Sequence, residues 1–246
     1  MTSRSTLIAL FVVLVLAVPA PTAARRGPAP QGNSLGNEAV PSGPTPRTPE
    51  GKVDFSGVWD PGFSFANIGN VPLQPWAEAL LEERRNDQGS DPEARCLPRG
   101  VVRISPFPQK FVQTPTLVVI LDEGNVHSYR QLFLDGREHA YDTFPLWMGD
   151  SIAEWDGDTL VVETIGFNDQ TWLNARGVPH TEELRVVERY TRPDFGHMVV
   201  EITLEDAGAF TGPHTFTRTF TLLTDWEIHE YVCNEFNVDI NHLVGQ

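Results

Sequence analysis

Positive charge is scarce in this sequence. Eighteen Lys and Arg stand against 33 Asp and Glu, a formal net charge of −15. A field of that sign repels phosphate backbones and anionic lipids, so nucleic acid and membrane surfaces are poor partners. The acids are scattered along the chain, as on a solvated surface. Cysteine is scarce too, with only Cys96 and Cys233, and no Cys-His motif points to a catalytic thiol. After residues 7–18 no long apolar run occurs, and a bilayer span needs about 20 such residues. G-x-S-x-G is missing, which excludes an α/β-hydrolase. A Gly-rich phosphate loop and H-E-x-x-H are missing as well. "HTEE" (180–183) has no strong zinc spacing, and "NDQT" (168–171) is not a glycosylation sequon. No metal and no cofactor is expected.

What is present begins with an export pattern. Arg4 precedes the apolar run 7–18, and Thr22 and Ala24 suit cleavage after Ala24, so residues 1–24 read as a secretory signal peptide. No Cys follows the apolar run, which argues against a lipoprotein anchor. Cleavage would remove Arg4 and make the charge one unit more negative. Residues 25–50 are rich in Pro, Gly and small polar residues. They cannot bury enough apolar surface to offset ordering, and they read as a disordered linker. Residues 51–246 then form a single domain by length. Export implies a periplasmic or secreted protein in an oxidising compartment, so Cys96 and Cys233 are expected to form a disulfide.

The domain reads as all-β. "WAEALLEERR" (76–85) carries Trp76, Ala79, Leu80 and Glu83 at helical spacing, and it is the one short helix expected. After it, β-branched runs are joined by turn residues at Gly124-Asn125, Asp156-Gly157, 193–196 and 224–225. These are successive hairpin signals. The expected fold is an antiparallel up-and-down barrel of 8–10 strands, which removes exposed edges. A β-sandwich is the alternative.

Alternation along the strands assigns faces. In "HTFTRTFTLL" the threonines 215, 217, 219 and 221 oppose Phe216, Arg218, Phe220 and Leu222. Parity likewise puts Arg130 with Leu132, Glu188 with Val186 and Tyr190, and Glu230 with Ile228 and Val232. Arg130, Glu188, Arg218 and Glu230 are therefore expected inside. Buried charges must pair, because desolvating one alone costs several kcal/mol. They form either internal salt bridges that fix register or the polar patch of a ligand cavity.

One connection, between the strands ending at Ile165 and beginning near Glu183, gathers Asn168, Asp169, Trp172, Asn174, His180 and Glu182. His180 could serve as acid or base near neutrality. Asp169 or Glu182 would orient it, and Trp172 or Trp147 would wall the pocket. The plainer alternative is turn chemistry, with Asn and Asp closing turns and Trp172 plugging the barrel end.

The stretch "WMGDSIAEWDGDTLVVETIGFNDQTWLNARGVPHTEELRVVERYTRPDFGH", with "CLPRG" and "EYVCNEFN", resembles an uncharacterised family of exported bacterial proteins. Its signature is W-x-GDTLVV-x-T-x-GFND-x-TW, then H-[ST]-E and ER[FY] elements, and the likeness covers roughly residues 53–237. It carries no catalytic residue to this chain. The "SGVW" start and single-helix meander also look like lipocalin-type (calycin) barrels, an architectural likeness that gives no function.

Three functions follow as expectations. The first is an exported lipocalin-like barrel binding a small, partly apolar molecule in its cavity. The second is a cofactor-free acid/base enzyme on the same barrel, an isomerase, hydratase or lyase. There His180 would be the acid/base, and Arg218 or Arg130 would stabilise an anion. The third is an envelope interaction module with a packed lumen.

Overall fold

Short β-branched runs with one apolar face must bury that face, and among the described residues nine of them do so by closing on themselves. The computed structural model describes residues 40–127, 129–140 and 144–235. Its strands are β1 (Gly57–Asp60), β2 (Gln109–Gln113), β3 (Leu117–Asp122), β4 (Tyr129–Phe133) and β5 (Asp150–Asp156). They continue with β6 (Thr159–Ile165), β7 (Arg185–Thr191), β8 (His197–Glu205) and β9 (His214–Leu223). Each strand pairs with the next, and β1 closes the barrel against β9 through Val58↔Leu223, Trp59↔Leu222 and Asp60↔Thr221.

The faces follow the expected parity. Met198, Val200, Ile202 and Leu204 of β8 are buried, as are Arg218, Phe220 and Leu222 of β9, while Thr217 and Thr219 are exposed. Two aromatic residues of the interior, Phe111 and Phe55, set their rings edge-on to Tyr190.

The sheet is not antiparallel throughout. β4 and β5 run parallel and share a single residue pair, Phe133↔Ile152. Sixteen positions of sequence separate Phe133 from Asp150, enough for the crossover that a parallel pair requires. Entry into β5 depends on Gly149 at φ +62°, where a Cβ would lie 2.7 Å from the Ile165 carbonyl oxygen.

The helix α1 spans Pro75–Asn86. Pro75 is pre-set for the first helical position, Glu78 faces the positive helix start and Arg84 and Arg85 its negative end. Three bonds tie its start to the β8–β9 turn: Gln74 N–H to the Ala209 carbonyl at 2.8 Å, the Gln74 side-chain amide to the Phe210 carbonyl at 3.2 Å, and Trp76 Nε1–H to the Gly208 carbonyl at 2.9 Å.

Two boundaries differ from the sequence reading. "WEIHEYVC" (226–233) is not a strand. β1 occupies the edge of β9 that a further strand would need. The segment is held instead by Lys110–Glu227 and by the Cys96–Cys233 disulfide, whose Cα atoms are 5.7 Å apart. The expected disordered stretch 25–50 also ends earlier. The Gly43 carbonyl accepts from Phe195 N–H at 3.0 Å, the Thr45 hydroxyl donates to the Arg192 carbonyl, and Arg47 pairs with Asp158. Polar and backbone bonds order residues 40–50 without a core of their own. The expectations for residues 1–24 and 25–39 lie outside the described residues. No helix among the described residues is long and apolar enough to cross a membrane.

Candidate functional site

The inward charges form a network inside the barrel. Arg130 on β4, Glu188 on β7 and Arg218 on β9 are 9, 4 and 2 % exposed. Arg130 grips Glu188 with both terminal nitrogens, one of them 3.1 Å from Oε1. It also donates to the Thr164 hydroxyl at 2.7 Å and to the Ser151 hydroxyl at 3.2 Å. The Tyr190 hydroxyl donates to Glu188 at 2.9 Å. Burial works against the charge on Arg130, but the Glu188 carboxylate outweighs it and holds the pKa above the usual arginine value. Arg218 donates to the Val102 carbonyl and lies 5.1 Å from the Phe216 ring centre. Burial pushes its pKa down to about 10, against the attraction of Glu188. Glu230 is not part of this network. It is exposed, because residues 226–233 form no strand and parity has no meaning there.

The network lines a void of about 30 Å³, with Gln109, Asp122, Met148 and Ile202 also in its wall. That is room for about two waters, against the roughly 300–1,000 Å³ of most small-molecule sites. Asp122 was not singled out from sequence. Its signal was there, since it shares parity with the buried Val118 and Ile120. Its carboxylate accepts from the Gln109 amide at 2.8 Å, the Ser105 hydroxyl at 3.2 Å and Gly124 N–H at 3.3 Å. Burial raises its pKa, with the Gln109 bond opposing.

The connection between β6 and β7 is largely self-bonded. Asn168 Oδ1 accepts from Gln170 N–H, and Asn174 Oδ1 accepts from Arg176 and Val178 N–H. These are side-chain-closed turns. His180 is 3 % exposed. Its Nδ1 lies 2.9 Å from the Thr181 carbonyl, which can only accept, so Nδ1 carries the proton. Nε2, 2.7 Å from the Thr171 hydroxyl, is then the acceptor. Both nitrogens are thereby used in the neutral ring, and burial lowers the His180 pKa. Asp169 and Glu182 are exposed, and neither is hydrogen-bonded to His180. The acid that organises this region is Asp206, which sequence reading missed. It is buried and accepts from Thr181 N–H, the Thr181 hydroxyl and Ala209 N–H.

Three of the expected site residues do come together elsewhere. Trp147, Asp169 and Trp172 line a cleft of about 420 Å³, along with Glu83, Arg84 and Asp87 of α1 and its end. Trp172 is 2 % exposed, and the Arg84 guanidinium stacks 5.1 Å from its ring centre. Arg84 also donates to the Gly177 carbonyl. Burial lowers the Arg84 pKa, while Asp91, Asp169 and Glu83 pull the other way. The opposite face of α1 borders a wider groove of about 660 Å³, whose wall includes Asn70, Glu78, Glu82, Arg85 and Arg176 but no aromatic ring. Among the described residues no three His, Cys, Asp or Glu side chains gather as metal ligands would.

No protein-family model, curated protein or solved structure matches this chain.

Proposed function

We propose that this chain is an exported barrel that binds a small, partly apolar molecule, seated in the cleft beside α1 and not in the lumen. The contrast in volume carries the reading: about 420 Å³ where two indoles meet carboxylates, against about 30 Å³ inside the barrel. A binding site needs apolar surface with a few placed polar groups. Trp147, Leu80 and Leu97 supply the first, and Asp169, Gln170 and Arg95 the second. Export is supported by the N-terminal pattern and by the Cys96–Cys233 disulfide.

The acid/base alternative loses its chosen residue, because His180 has both nitrogens bonded to threonine groups and no carboxylate orients it. An envelope interaction module remains a second reading, favoured by the near-filled lumen. Native mass spectrometry of the exported protein separates the two. A bound small molecule is expected, and Trp147→Ala should release it while the melting temperature holds. An adduct that persists unchanged in Trp147→Ala and Asp169→Asn would overturn the cleft, and a protein partner in place of any adduct would favour the module.

A further inference from the structure

The cleft's composition also points to a ligand class, which rests on the cleft reading above. We infer that it takes a neutral saccharide of one or two rings.

Its polar wall is of mixed sign. Glu83, Asp87 and Asp169 offer acceptors, and Arg84, Arg95 and Gln170 offer donors. A sugar hydroxyl donates and accepts at once, so a polyol can satisfy both kinds of group. A cationic ligand would meet the two guanidiniums. An anionic one would meet three carboxylates and the field of a chain at −15.

The apolar wall suits the other half of a sugar. Trp147 is half-buried and leaves part of its indole in the cleft, and Leu97 is exposed there. The face of an indole is electron-rich, and the C–H bonds on one face of a pyranose present weak positive charge to it. The volume sits in the lower part of the small-molecule range. The floor is also fixed in advance. Trp172 is pinned under Arg84, and the Asn168 turn holds Asp169 and Gln170 in place. Such ordering reduces the entropy lost on binding.

Cellobiose, maltose and N,N′-diacetylchitobiose are the probes, titrated against the exported protein by tryptophan fluorescence and calorimetry, with choline as the cationic control. At least one disaccharide should bind saturably, with affinity changing less than about twofold as salt rises, because no net charge is neutralised. Trp147→Ala and Asp169→Asn should each weaken it at least about tenfold, the equivalent of roughly 1.4 kcal/mol. Gln170→Ala, at an exposed residue, provides a variant whose fold is not at stake, and it too should weaken binding. Three saccharides without saturable binding would overturn the ligand class. Salt-sensitive choline binding lost in Asp169→Asn would also overturn it, yet keep the cleft as a small-molecule site. Saccharide binding untouched by all three variants would remove the cleft itself.

Discussion

Arg130 on β4 and Glu188 on β7 are joined side by side inside the barrel, three strands apart, with Ser151 of β5 and Thr164 of β6 bonded to the same guanidinium. The contact bridges the weakest seam of the sheet. β4 and β5 share one residue pair, whereas β5 and β6 share the full run Asp150↔Ile165 to Asp156↔Thr159. Side-chain bonds from Arg130 thus stand in where backbone bonds are few.

Removing one partner of that pair should be costly. Arg130→Met strands the buried Glu188 carboxylate and should lower stability by about 3–5 kcal/mol in denaturant melts. Arg130→Met with Glu188→Gln should regain part of the loss, since no charge is then left buried alone. Hydrogen exchange in β4 and β5 should rise more than in β8 and β9. A single variant within about 1 kcal/mol of the parent would show that the pair is solvated, as surface pairs are.

Protonation of His180 should weaken the fold. Burial puts its native pKa below the ordinary 6.5, so the unfolded chain binds the proton more readily. Its contribution to stability is whole above pH about 6.5 and is lost as pH falls from there toward the native pKa. The stability of the parent should therefore drop between pH 7.5 and 5.5 more steeply than that of His180→Gln. The variant itself should lose about 1–3 kcal/mol at pH 7.5 by leaving threonine groups unsatisfied. Parallel pH profiles for the two proteins would contradict the buried neutral ring.

Asp122 should behave in the opposite sense. Its native pKa is raised above 3.8 by burial, so the folded state holds its proton longer. Stability then falls as pH rises through the window from 3.8 to the native pKa, and the penalty persists above it. Asp122→Asn removes the charge; its oxygen can keep Ser105 and Gly124 N–H, and its amide nitrogen can donate to Gln109 once that side-chain amide turns over. It should be more stable than the parent at pH 7, with the difference closing below pH about 4. Equal melts at pH 7 would mean that water or a cation already solvates the carboxylate.

These residues show what a one-dimensional pattern can carry. Period-two alternation placed Arg130, Glu188 and Arg218 inside, because a strand fixes which face each side chain takes. It could not choose which arginine meets Glu188, since parity gives the face and not the height along the barrel. Glu230 failed for a related reason: alternation has meaning only where a strand forms, and β1 had already taken the edge of β9. The parallel run of β4 and β5 was equally hidden, because hydrophobic period does not encode direction. In the β6–β7 connection the residue types are legible in the sequence, but their partners are not. Thr171 takes the ring of His180, and Asp206, distant in sequence, holds Thr181.

Trp172 and Asp169 separate the two roles of that connection. Trp172 is buried under Arg84, so Trp172→Ala should cost about 3–5 kcal/mol through the void it leaves. Asp169 is exposed, and Asp169→Asn should stay within about 0.5 kcal/mol of the parent. The two therefore divide as floor and rim of one cleft. Loss of the bound molecule in Asp169→Asn with an unchanged melt would be a binding effect alone. In Trp172→Ala the same loss would accompany a lower melting temperature. Chemical denaturation of both variants, with native mass spectrometry on the same samples, checks the division. A Trp172→Ala protein as stable as the parent would mean that the indole is not packed under the guanidinium, and the cleft would lose its floor.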